Sequence, residues 1–258
     1  MRKALVIVPF ALDEKGISNR EKQTEKVNLG NNIKFEFKPV TAGPTSFMSP
    51  HDTALMEMAI FEAGINAEKD GYNAVIIDTM SDSGLAPLRS ILNIPVVSPG
   101  RASMLFALML GNKFGILAQW EKAVPRYNKV VIEYGLKDHC AAIDHFDEPP
   151  DFSNLLTGKE EKVFAKMKKV CEKMVNLGAD VICLGSTTMH QAGEFLSKEL
   201  DVPVINPGPL SYKLAETLLD VGLVHSKKAF PEPLVPKINM IKEMFKAAKK
   251  IEEGILKV

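Results

Sequence analysis

The chain carries no net charge, few cysteines, a single tryptophan and no long apolar run, and each scarcity removes a class of function. Lysine plus arginine number 32 and aspartate plus glutamate 32 among 258 residues, so no overall field draws in nucleic acid or an anionic membrane. A small molecule, or another copy of the chain in a homo-oligomer, is the expected partner. No apolar stretch approaches the roughly 18 residues of a spanning helix, and the first strand begins at Ala4 with no long apolar region behind a basic start. The expected location is the cytoplasm. Cys140, Cys171 and Cys183 are an odd number without metal-ligand spacing, which argues against a disulfide framework. No Gly-x-Gly-x-x-Gly turn follows the first strand and no His or Cys cluster has ligand spacing, so neither a dinucleotide nor a metal is expected and no cofactor is assigned.

What the sequence does contain is a repeat. GYNAVIIDTMSDSG, from Gly71, matches GADVICLGSTTMHQ, from Gly178, and places Thr79 and Ser186 at equivalent positions. Downstream, IPVVSPG from Ile94 matches VPVINPG from Val202, one residue out of the first register. Short β-branched runs alternate with stretches of helical period, the pattern of βα units around parallel sheets. Strands are predicted near 4–9, 34–40, 74–79, 94–98, 113–118, 140–145, 180–185 and 202–206. Helices are predicted over 18–29, 51–70, 84–92, 102–110, 121–135, 159–177, 189–200 and 209–221.

The expected fold is therefore α/β, with two pseudo-symmetric lobes, each a roughly four-stranded parallel sheet flanked by helices, and a cleft between them. Residues 1–99 with 209–226 form the first lobe, 100–208 the second, and 227–258 a proline-containing segment and terminal helix. Pro231, Pro233 and Pro236 resist regular structure. Beyond them Ile238, Ile241, Phe245, Ala248 and Ile251 recur at helical spacing, an apolar face for the body or for another subunit.

Ligands of open parallel sheets bind outside the carboxyl ends of the strands. Thr79 and Ser186 fall there, with Ser81, Ser83, Thr187 and Thr188 close behind. Asp78, Asp82 and His190 lie beside them as groups able to carry a proton, although the position of Asp82 equally fits a cap of the next helix and that of His190 a surface or packing histidine. Ser49 to Asp52 has the form of an N-cap followed by proline in the first helical turn. Thr188 and Gln191 have capping-box spacing. Thr45 and Ser46, after the second strand, are weighed evenly between substrate contact and turn.

Taken together, GPTSFMSPHD, the two repeated blocks, EKAVPRY at Glu121 to Tyr127 and DVPVINPG resemble the aspartate/glutamate/hydantoin racemase superfamily, most closely its hydantoin racemase branch. The resemblance runs from about residue 3 to 221. It implies cofactor-independent proton transfer at a carbon beside a carbonyl or carboxylate. Relatives of this kind carry a cysteine at each of the two equivalent loop positions, which here are Thr79 and Ser186. In relatives the first-strand loop is rich in Asn and Thr, whereas here it reads VPFALD, with Pro9 and Phe10. A hydroxyl-rich turn after the fifth strand is replaced by Ala118, Gln119 and Trp120.

An aliphatic hydroxyl titrates far above a thiol and is a poor general base without a partner. Three readings stay open at this stage. In one, Thr79 and Ser186 act with His190, Asp82 or Asp78 in racemase, isomerase or lyase chemistry. Pro9, Phe10, Thr45, Ser46, Ser81, Ser83, Gln119, Trp120 and Thr187 then contact a small amino-acid-derived or cyclic amide substrate. In another, hydroxyls and helix N-termini cradle a small carboxylate without chemistry. In the last, the hydroxyls are structural.

Overall fold

The computed structural model describes residues 1–148 and 160–255. Two parallel sheets of four strands share one strand order, β2-β1-β3-β4 and β6-β5-β7-β8. The first holds β1 (Arg2–Val8), β2 (Ile33–Pro39), β3 (Ala74–Ile77) and β4 (Val96–Val97). The second holds β5 (Phe114–Ala118), β6 (Cys140–His145), β7 (Val181–Leu184) and β8 (Val204–Ile205). The central strands β3, β5 and β7 are buried along their whole length, as strands covered on both faces must be. β4 and β8 keep only two ladder residues each, because Pro95 and Pro203 cannot donate to a neighbour.

The helices are α1 (Glu14–Glu21), α2 (Pro50–Gly64), α3 (Leu85–Ile91), α4 (Pro99–Leu110), α5 (Val124–Glu133), α6 (Glu160–Asn176), α7 (His190–Glu199), α8 (Pro207–Val221) and α9 (Ile238–Ile255). α1 starts earlier than its periodicity predicts because Asp13 caps it, accepting from the Gly16 amide at 2.8 Å. It then tightens into a 3₁₀ turn at Lys22–Lys26. α2 stops at Gly64 and leaves through tight turns, not at residue 70. The predicted first residue of α6, 159, lies outside the described residues.

Strand alternation sorts the core. Leu5, Ile7, Val75 and Ile77 face α2 and α3, while Ala4, Val6, Val8, Ala74 and Ile76 face α8. In the second sheet Ile116, Ala118 and Cys183 face α4 and α5, and Leu117, Ile182 and Leu184 face α6 and α7. The two helices after the shortest strands are exchanged. α4 follows β4 of the first sheet yet packs on the second, α8 follows β8 of the second yet packs on the first, and the two lie against each other.

Both exchanged helices begin with Pro-Gly, and both glycines are required by close approach. A Cβ on Gly100 would stand 2.4 Å from the Met80 carbonyl, and one on Gly208 2.0 Å from Gln23 Oε1. α9 lies on α2 through Ile241, Phe245 and Ala248. Ile251, assigned to that face by spacing, is 65% exposed because the helix has by then run past α2. No described helix is long and apolar enough to cross a membrane.

Candidate functional site

The carboxyl ends of both sheets open into one narrow cleft with a cavity volume of about 40 Å³. Each central strand delivers its next residues to the wall: Pro9 and Phe10 after β1, Asp78 to Met80 after β3, Gln119 and Trp120 after β5, Gly185 to Thr188 after β7. Arg20, Phe47, Ala123, Arg126 and Tyr127 complete it.

Thr79 and Ser186, from the repeated loops, both line this cleft and are half-buried. Each heads a short chain of hydroxyls. Thr79 Oγ1 lies 3.2 Å from Ser81 Oγ, which lies 3.0 Å from Ser83 Oγ; Ser186 Oγ lies 2.8 Å from Thr188 Oγ1 and accepts from the Thr188 amide. Among the described residues neither Thr79 nor Ser186 bonds a carboxylate or an imidazole. The Thr188 hydroxyl is thus engaged with Ser186, and its capping-box spacing goes unused because a 3₁₀ turn at Thr187–Met189 delays α7 to His190.

Beneath the hydroxyls lies a buried ion pair. Arg20 donates to Asp78 Oδ2 at 2.9 Å and to Thr187 Oγ1 at 3.0 Å, and Gln23 reaches the same carboxylate. Thr187 in turn donates to the Asp78 carbonyl at 3.3 Å, so this network ties the residue before Thr79 to the residue after Ser186. Burial pushes the Asp78 carboxyl above its ordinary range, against the pull of Arg20 and the hydrogen bonds from Thr187 and Gln23.

Asp82 and His190 do not line the cleft. Asp82, at a positive φ of 56°, turns to the start of α4, where it accepts from Ser98 Oγ, the Gly100 and Arg101 amides at 2.9 and 2.6 Å, and Tyr134 Oη at 2.6 Å. It therefore caps α4 and not α3, the helix next in sequence. His190 is 8% exposed, and burial together with Lys26, Arg20 and Lys22 holds its imidazole neutral, with a pKa of about 4. Ser81 and Ser83 sit behind Thr79, off the wall. Thr45 is exposed, and Ser46 donates to Asp52, which with Ser49 forms the capping box of α2 behind Pro50.

Phe47, Arg126 and Tyr127 join the site without having been singled out from sequence. Arg126 crosses the cleft: its Nη1 donates to the Phe47 carbonyl at 2.9 Å, and its guanidinium lies 4.1 Å from the Phe47 ring centre. Tyr127 donates to the Gly185 carbonyl and so pins the Ser186 loop. A signal for Arg126 was present, since a cation in the first turn of a helix opposes the helix dipole and calls for another reason to be there. None of the cysteines lines the cleft. Cys183 is fully buried in β7, and burial pushes the thiols of Cys140 and Cys171 up to about 11 and 12.

Two parallel sheets of one topology, their carboxyl ends facing a single cleft between equivalent loops, define the class of pseudo-symmetric α/β racemase folds. The sequence profile of the Asp/Glu/hydantoin racemase family matches residues 19–215, and the chain belongs to that family. A hydantoin racemase of Rhizobium meliloti is 26% identical over 187 residues, covering 72% of this chain and 77% of its own. One from Pseudomonas sp. (strain NS671) is 28% identical over 192 residues, covering 72% and 74%. The structure of allantoin racemase from Klebsiella pneumoniae shares the fold, with a TM-score of 0.80 at 24% identity over 93% of this chain and 99% of that one.

Proposed function

We propose that this chain catalyses cofactor-independent proton transfer at a carbon beside a carbonyl, in a small amino-acid-derived or cyclic amide compound, without thiol bases. The reading rests chiefly on one observation: the equivalent residues Thr79 and Ser186 line one cleft while every cysteine lies outside it. Negative charge that develops on a substrate carbonyl oxygen is stabilised by fixed donors, and the hydroxyls of Thr79, Ser186 and Thr188 supply them. Of the candidate proton carriers only Asp78 lines the cleft, and its upward shift brings a carboxylate toward the working range of a general base. Arg20 and Thr187 hold it beside Thr79.

A second reading, a binding protein without chemistry, is favoured by a different observation. Among the described residues the Thr79 and Ser186 side chains bond only to other hydroxyls and to the amides of their own loops. Incubation in heavy water with chiral hydantoins, amino acids and short dicarboxylates separates the two. Deuterium uptake at the α-carbon that disappears in Asp78→Asn supports the enzyme. Saturable quenching of Trp120 with no uptake and no new product supports the binder.

A further inference from the structure

Among the described residues three charged side chains line the cleft: Arg20, Asp78 and Arg126. Arg20 and Asp78 are paired, with side chains 4% and 1% exposed. Arg126 is in a different state. It forms no ion pair among the described residues; Nη1 meets the Phe47 carbonyl, Nη2 is 3.5 Å from Tyr127 Oη, and Nε is buried without an acceptor. A buried guanidinium donor left unmatched is costly. The rings of Phe47 and Tyr127, with centres 4.1 and 5.1 Å from the guanidinium, exclude water from its flanks. Two cations and one anion leave the described residues of the wall with one positive charge in excess.

Resting on the reading of this cleft as the ligand site, we infer that Arg126 is its specificity-determining residue and that the preferred ligand is a singly charged carboxylate in place of an uncharged cyclic amide. The carboxylate meets the cleft side of the guanidinium and supplies the counter-charge that no side chain among the described residues supplies. Trp120, Phe10 and Met80 take the flat or apolar remainder, and the hydroxyl loops take its carbonyl or amide edge. A neutral ring of the same size leaves the guanidinium unmatched.

The test uses matched probes that differ chiefly in charge: N-acetylglycinate against N-acetylglycinamide, and mandelate against mandelamide. Affinities come from quenching of Trp120, the only tryptophan, and independently from calorimetry. In the native chain each anion is expected to bind about ten- to a hundredfold more tightly than its neutral partner, the span of a charge-assisted hydrogen bond. Arg126→Gln brings the ratio close to one, and Arg126→Lys restores a large part of it. Phe47→Leu, which keeps the backbone carbonyl, preserves the ratio and shows that charge, not loss of the ring contact, is being read. Circular dichroism confirms that each variant is folded.

Equal affinity for the two members of each pair in the native chain overturns the inference. So does a ratio that survives Arg126→Gln, one that is lost only in Arg20→Gln, or no binding of either anion. Arg126-dependent selectivity without α-deuterium exchange leaves it standing while the proposed enzymatic activity falls.

Discussion

Acid destabilisation through His190 gives a sharp quantitative test of the site's surroundings. The imidazole is buried at the first residue of α7 with Nδ1 unpartnered, and its pKa falls from 6.5 to about 4. Between those values the unfolded chain binds a proton that the folded chain refuses, so stability is complete above pH 6.5 and drains away as pH falls toward 4. The fall from 6.5 to about 4 corresponds to roughly 3 to 4 kcal/mol, at about 1.4 kcal/mol for each tenfold change in proton affinity. His190→Gln removes this titration. Urea unfolding from pH 7 to 4.5, followed by far-ultraviolet circular dichroism, should give a shallower decline for the variant, whatever its stability at neutral pH. His225 is also shifted downward by burial and contributes equally to both curves. Asp52, held at about 2, titrates below this window. Parallel curves for the two proteins, or an imidazole resonance of His190 that titrates near 6.5, would refute the reasoning.

Asp82→Ala leaves the Ser98 and Tyr134 hydroxyls and the Gly100 and Arg101 amides without their acceptor, and should cost about 4 kcal/mol in denaturant unfolding; an unchanged midpoint contradicts the capping role. Gly208→Ala forces Gln23 away from Asp78 and should cost about 2 kcal/mol, with a matching loss of thermal stability measured by calorimetry. The double variant Thr79→Cys with Ser186→Cys should gain α-deuterium exchange on hydantoins, because thiols titrate near the working range. A folded double variant with no exchange on any hydantoin shows that the cleft has diverged beyond its two bases.

The sheets were legible because buried parallel strands write themselves as unbroken β-branched runs such as Ala74–Ile77, and the duplication around Thr79 and Ser186 marked both cleft loops at once. Element ends were harder to read. They depend on single interactions, such as the Asp13 cap or the turn at Thr187–Met189, that override periodicity locally. Asp82 shows the limit for site residues. Its position behind a strand end fits a catalytic carboxylate and a helix cap equally well, and only the exchange of α4 onto the other sheet decides which amides it meets. Arg20, far upstream in a helix of ordinary surface composition, gives no sign that it reaches Asp78 across 58 positions.

The exchange of α4 and α8 has a consequence for the order in which the molecule is made. A ribosome delivers the second sheet and its helices α4 to α7 as one uninterrupted stretch. The first sheet is synthesised earlier, yet the face formed by Ala4, Val6, Val8, Ala74 and Ile76 waits for Tyr212 and Ala215 of α8. Until α8 has left the exit tunnel that apolar face is covered only in part, by residues such as Ile17, Val27 and Leu29, and the remainder is open to solvent, chaperones or another nascent chain. The lobe begun first is therefore the one finished last.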